Sequence, residues 1–169
     1  TATCFSEIPP FLDLPSIHSG KWDPFFEACN ETQVVVNMHI GSSSRMPATS
    51  PDAPAGVQAT LSFNHAMGSL ADWIFSGVLV RHPTLKLAYS EGQMGWIPYA
   101  MERADSVWKE FRGWAFDKDA VPEPPSTYFT RQVYACFFRD NFGLKNIHDV
   151  GVDNVTFEVA DEATLHDDR

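Results

Sequence analysis

The sequence predicts an α/β chain built on parallel sheet, and three observations carry that reading. Short apolar runs of strand composition alternate with helix-period patterns along the chain. The run Val34-Val35-Val36 is β-branched throughout, as suits a strand buried on both faces. Polar residues such as His39, Glu91 and Asp140 follow directly on these runs, where the strands of such sheets carry their chemistry.

The elements follow in order. Ala2 to Ser6 is the first strand. After a proline-rich loop, Trp22, Phe25, Phe26 and Cys29 have the spacing of one helix face, with Asp23-Pro24 as N-cap and first-turn proline. Val34 to His39 is the second strand, and the Ser-, Pro- and Ala-rich stretch Ser42 to Gly56 is a long loop. A helix is expected from about Leu61 to Val78, stopped by Arg81-His82-Pro83, because proline disfavours the helical state of the residue before it. Leu85 to Tyr89 is the third strand. Trp96 to Arg112 is the next helix, with Pro98 in its first turn and Gly113 as its stop. Asp117 to Ser126 reads as a connector, Val133 to Phe137 as the fourth strand, Leu144 to Val150 as a short helical segment and Val155 to Val159 as the fifth strand. Strands and helices in this order fit either a doubly wound sheet or part of a (β/α)8 barrel. No G-x-G-x-x-G turn follows the first strand to favour a dinucleotide fold.

Composition narrows the function classes. The chain has 169 residues, 44% hydrophobic and 13% aromatic, enough for one sizeable core. Its net charge is −10 and it has no Lys/Arg run, which argues against a nucleic-acid groove or an anionic membrane surface. No apolar stretch approaches the ~18 residues of a membrane span. No basic segment followed by an apolar one opens the chain, so no signal peptide is expected. Cys4, Cys29 and Cys136 are odd in number and scattered, and read as free, mostly buried thiols of a reducing compartment, with the cytoplasm as default.

The strand ends are the places to look for chemistry. They carry Ser6-Glu7, His39 before Gly41-Ser42-Ser43-Ser44, Ser90-Glu91-Gly92, Arg139-Asp140, and Glu158 with Asp161 beyond it. One imidazole, several carboxylates and flanking glycines at one rim suit a hard or borderline divalent metal. Blander readings stay open at this stage. His39 serves equally as a hydrogen-bonded rim residue. Glu91 serves equally as a helix cap on the favourable end of the dipole. Glu158 and Asp161 serve equally as solvated residues of a charged tail.

Longer strings are more specific. Pro15-Ser16-Ile17-His18-Ser19-Gly20-Lys21-Trp22-Asp23-Pro24 resembles the loop and helix start after strand four of amidohydrolase-related proteins, the branch that includes aminocarboxymuconate-semialdehyde decarboxylase and resorcylate decarboxylases. Met38-His39-Ile40-Gly41-Ser42 resembles that family's strand-five ending. Arg81-His82-Pro83 with Leu85-Lys86-Leu87, and Ser90-Glu91-Gly92-Gln93-Met94-Gly95-Trp96-Ile97-Pro98-Tyr99, resemble strand six and its helix. Val152-Asp153-Asn154-Val155-Thr156-Phe157-Glu158 resembles strand eight. The resemblance runs from residue 1 to about 159.

It implies a partial (β/α)8 TIM barrel of the metal-dependent hydrolase type, about strands four to eight, over residues 1–159, with residues 160–169 a charged tail that departs from the family. In that family a divalent metal, usually zinc, is held by a His-x-His or Glu-x-His pair on strand one, the strand-five His and the strand-eight Asp. His39 matches the strand-five ligand. Asp161 lies close to the strand-eight ligand but out of register. Glu91 stands where a catalytic His commonly follows strand six, and is the candidate catalytic residue. His18 and Arg45 are candidate substrate-binding residues, Arg45 because its planar fork suits a carboxylate.

The expected parent is an enzyme that hydrolyses or decarboxylates a small carboxylated molecule. With the strand-one ligands outside this chain, metal binding here is expected to be weak or absent. The alternative is a catalytically inactive barrel fragment or interaction protein. Five strands do not close a barrel, so Val34, Val36, Leu87, Val133 and Val155 are expected to need cover on an inner face without its opposite wall. That expectation makes the chain a homo-oligomer, poorly soluble, or dependent on a missing N-terminal half.

Overall fold

The computed structural model describes residues 1–158. Strands β1 (Ala2–Phe5), β2 (Val35–His39), β3 (Leu87–Ser90), β4 (Val133–Phe137) and β5 (Val155–Phe157) pair in parallel, in the spatial order of the sequence. Helices α1 (Asp23–Thr32), α2 (Ala55–Leu61), α3 (Asn64–Phe75), α4 (Val78–Arg81), α5 (Ile97–Glu110), α6 (Pro125–Gln132), α7 (Asn141–Lys145) and α8 (Ile147–Val150) fill the crossovers. A doubly wound sheet reverses its strand order at a switch point, whereas this one never does. Sequential order is the arc of a (β/α)8 barrel, here as a partial barrel.

Register separates the two faces of the arc. Val36 pairs with Leu87 and Leu87 with Val133; one layer higher, Met38 pairs with Tyr89 and Tyr89 with Ala135. All six are at most 3% exposed. Helix α3 covers them: Ser69 and the Trp73 indole donate to the Met38 sulfur, and the Tyr89 hydroxyl donates to Ser69. Phe5 packs among Trp22, Phe25, Phe26 and Trp73 on the same side. The intervening residues Cys4, Val35, Asn37, His39, Ala88, Ser90, Tyr134 and Thr156 form the open face and are half-buried or exposed.

This corrects one expectation. Val36, Leu87 and Val133 do not line the inner face; they are fully covered by helices. The second strand is buried on its helix side only. Cys29 and Cys136 are buried free thiols and Cys4, on the edge strand β1, is exposed; Cys136 is buried although it shares the open face with its register partner Thr156.

Helix boundaries also differ from expectation. The helix expected from Leu61 to Val78 is three pieces, α2, α3 and α4. Gly77 divides the last two with φ +73°, and a side chain there would meet Ala120 at 3.1 Å. Helix α2 starts inside the expected loop. Helix α6 was hidden by its Pro124-Pro125 entry, which reads as a connector although proline is tolerated in a first helical turn. Strands β3 and β5 are shorter than expected, and Val159 lies outside the described residues.

Two buried amides fix the end of the arc opposite the site. Gln132 Nε2 donates to the carbonyls of His82 and Leu85, ahead of β3. Asn154 Nδ2 donates to the carbonyls of Thr130 and Val133, which locks β5 to the start of β4. Each satisfies backbone acceptors that burial would otherwise leave unpaired. No described helix is long and apolar enough to cross a membrane.

Candidate active site

Parallel order brings every strand's C-terminal end to one rim. His39, the last residue of β2, pairs in register with Ser90, the last of β3. The next residue, Glu91, has φ +59°, a left-handed conformation that costs a non-glycine residue about 1–2 kcal/mol. With that geometry, Glu91 Oε1 lies 3.4 Å from His39 Nε2. The imidazole is half-exposed and the carboxylate about one-third exposed. His39 Nδ1 lies 2.7 Å from the Ile40 carbonyl, which fixes Nδ1 as the protonated nitrogen. That carbonyl raises the His39 pKa, and the nearby carboxylates of Glu91 and Glu158 raise it further.

The rim continues across β4 and β5. The Cys136 thiol donates to Glu158 Oε2 at 3.3 Å. Burial pushes the Cys136 pKa up, and the Glu158 charge adds to this, so this is a protonated thiol rather than a nucleophilic thiolate. Asp140 faces no ligand space. Its carboxylate accepts backbone N–H bonds from Met94, Gly95 and Gly143 and caps α7.

Glu7 is the residue whose environment the sequence did not disclose. It ends the first strand ahead of a proline-rich loop, and it is 2% exposed. Its Oε2 accepts from the Gly41 amide at 3.2 Å, and its Oε1 has no partner. The Ser42 and Ser43 hydroxyls accept from the amides of Glu7 and Ile8, each at 2.9 Å. The ends of β1 and β2 are therefore tied together directly behind His39. Burial raises the Glu7 pKa to about 7, against the lowering effects of the Gly41 amide and of His39.

The remaining candidates lie elsewhere. Arg45 stacks its guanidinium 4.8 Å from the Phe11 ring centroid, in the loop that follows β2. His18 Nε2 lies 3.1 Å from Asp72 Oδ1, and both side chains are about half-exposed. Ala66 is the α3 residue beside rim residue Gly92. Asp72, six residues further on, lies about 9 Å down the helix from it. His18 is thus on the outer wall, away from His39. Asp161 lies outside the described residues.

The fit to a metal is partial. A proton held on His39 Nδ1 by a carbonyl leaves Nε2, which faces Glu91 Oε1 at 3.4 Å, as the nitrogen with a lone pair to offer a metal. Yet among the described residues no group of three or more His, Cys, Asp or Glu could hold a metal ion. These residues do not complete a site by themselves.

Comparison with known proteins matches this geometry to one family. A family model described as amidohydrolase matches residues 6–157. No curated relative matches the sequence. Among solved structures, an amidohydrolase from Mycobacterium avium subsp. paratuberculosis K-10 is 20% identical, with a TM-score of 0.72 over 91% of this chain and 39% of that one. A 5-carboxyvanillate decarboxylase from Sphingomonas paucimobilis is 21% identical, with a TM-score of 0.64 over 84% of this chain and 43% of that one. A dihydroxybenzoic acid decarboxylase from Polaromonas sp. JS666, solved with bound manganese and the inhibitor 2-nitroresorcinol, is 20% identical, with a TM-score of 0.62 over 83% of this chain and 43% of that one. At these identities the likeness to the three structures is one of fold, and the chain spans about two fifths of their length. Matched over most of its length by the family model, the chain belongs to the amidohydrolase family.

Proposed function

We propose that this chain is part of a cytoplasmic, metal-dependent enzyme that hydrolyses or decarboxylates a small carboxylated organic molecule. The observation that carries the reading is the His39–Glu91 pair at 3.4 Å on the C-terminal rim of a parallel arc. Two decarboxylases of carboxylated aromatic rings share the fold, and one of them holds a divalent metal. Their chemistry needs a polarised oxygen or an activated water beside a group that moves a proton.

In this reading His39 offers Nε2 to the reacting centre, with Nδ1 held by the Ile40 carbonyl. Glu91 orients that imidazole and takes or returns a proton at Oε1. Arg45 is the residue to receive a substrate carboxylate, by leaving the Phe11 ring. His18, paired with Asp72 on the outer wall, reaches substrate only if the Ile17–Ser19 turn shifts. The described residues do not form a metal site by themselves. A divalent ion, zinc or manganese, requires ligands beyond them, Asp161 among the candidates.

A second reading keeps one specific observation in its favour. With no cluster of three ligands among residues 1–158, the polypeptide by itself fits an inactive barrel fragment that works through contact. Assays separate the two. A longer polypeptide that supplies strand-one ligands is tested against aromatic and aliphatic carboxylates, with carbon dioxide release and hydrolysis both followed. The enzyme reading expects turnover that falls at least about a hundredfold in His39→Ala and in Glu91→Gln. Turnover that is equal in wild type and both variants would sink it.

A further inference from the structure

The loop between β3 and α5 holds a backbone that its residues do not favour. Glu91 and Gln93, neither of them glycine, have φ +59° and +58°. Such residues persist in the left-handed region only where their surroundings over-determine them. The restraint lies immediately downstream. Asp140 Oδ2 accepts from the Met94 amide at 2.9 Å and from the Gly95 amide at 2.6 Å. Asp140 Oδ1 accepts from the Gly143 amide at 2.7 Å, which anchors the carboxylate at the start of α7. The approach is close. A side chain at Gly95 would stand 2.9 Å from Asp140 Oδ1, and one at Gly143 would stand 2.6 Å from Met94 Cγ. On the loop's other side the Trp96 indole donates to the Gly92 carbonyl at 2.8 Å.

We propose that Asp140 is a positioning residue for Glu91: by gripping Met94 and Gly95 it holds the β3–α5 loop in the left-handed form that presents Glu91 to His39. The carboxylate is suited to this task. It accepts on both oxygens at once, and charge-assisted bonds to backbone amides are stronger than neutral ones. Asparagine would accept on one oxygen only and turn an N–H group toward an N–H donor. The inference rests on Glu91 belonging to the site. Its test reads loop geometry rather than turnover, so either idea can fail alone.

Three variants of the 169-residue chain separate positioning from capping: Asp140→Ala, Asp140→Asn and Asp140→Ser. Serine is a good N-cap for α7 through the Gly143 amide, but its side chain is too short to reach Met94 and Gly95 as well. Backbone carbon shifts at Glu91 and Gln93 report the left-handed φ, and amide exchange reports the grip. In Asp140→Ser the left-handed shifts are lost, and the Met94 and Gly95 amides exchange at least about tenfold faster. The Gly143 amide stays within about twofold of wild type. The His39 ring resonances respond to Glu91→Gln in the wild-type background and no longer respond in Asp140→Ser. Retention of the left-handed shifts and of that response would overturn the proposal. So would loss of protection in β2 and β3 together with the loop, which would make Asp140 a residue of the fold as a whole. Asp140→Asn is expected to fall between serine and wild type.

Discussion

The two faces of the sheet are made from the same five strands and have opposite characters. On the helix side, Val36, Met38, Leu87, Tyr89 and Val133 are at most 3% exposed and form one continuous core with α3 and α6. On the open side, Asn37, His39, Ser90, Tyr134 and Thr156 alternate with them and are half-buried or exposed. Asn37 and Ser90 hydrogen-bond each other across the strands at 3.1 Å. The chemistry is confined to the open side and its rim. The apolar layer gives the arc a core of its own, and the polar layer is what a site can be built on.

The sharpest way to break this contrast is to cut the two faces separately. Met38→Ala and Leu87→Ala should each cost about 2–5 kcal/mol in urea unfolding, as cavities in a covered core. Asn37→Ala, on the adjacent position of β2, should cost about 0.5–1.5 kcal/mol, the worth of one partly exposed hydrogen bond. Equal losses on the two faces would mean that the open side is also a covered core.

Legibility from sequence follows the same division. The strands were readable because β-branched and aromatic runs mark them, and because their C-terminal ends share one rim whatever the helices do. That rule puts His39 and Glu91 among the strand-end candidates, and the family resemblance singles them out. Which face each strand residue occupies was not readable, because a run such as Val34-Val35-Val36 is apolar at every position and hides its alternation. Glu7 and Asp140 were visible at strand ends as types, but their roles come from tertiary contacts. A carboxylate ahead of a proline-rich loop gives no sign that Ser42, Ser43 and Gly41 will close over it. Likewise, nothing local to Asp140 indicates that its partners are Met94 and Gly95, 46 and 45 residues away.

The free edges sharpen the comparison next. Among the described residues β1 and β5 each pair on one side only. Unpaired edges invite association, so size-exclusion chromatography should show concentration-dependent oligomers. A monodisperse monomer with a sharp melt would mean that the edges are protected.

Smaller effects come from the rim's titrating groups. Glu7 has a folded-state pKa of about 7 against an ordinary 4.5, so the folded state holds its proton more tightly than the unfolded state. Stability is therefore greatest below about pH 4.5, falls as pH rises to about 7, and is flat above that. The loss from this group should be at most about 3 kcal/mol, the worth of that pKa difference. Glu7→Gln should remove that slope, and an unchanged slope would show that Glu7 is hydrated. The same sign holds for His39, whose raised pKa contributes stability below about pH 6.5 that is lost as pH rises through its folded value. Glu91→Gln should lower the His39 pKa in an NMR titration, with little effect on the melt, since both side chains are partly exposed.

The most direct test of the account is a metal count on dialysed protein: this chain, a longer polypeptide carrying strand-one ligands, and the longer polypeptide with His39→Ala. The account predicts no stoichiometric zinc or manganese in the chain, one equivalent in the longer protein, and loss of that equivalent in His39→Ala. One tightly held metal in the chain alone, or a full equivalent retained in the His39→Ala protein, would contradict it.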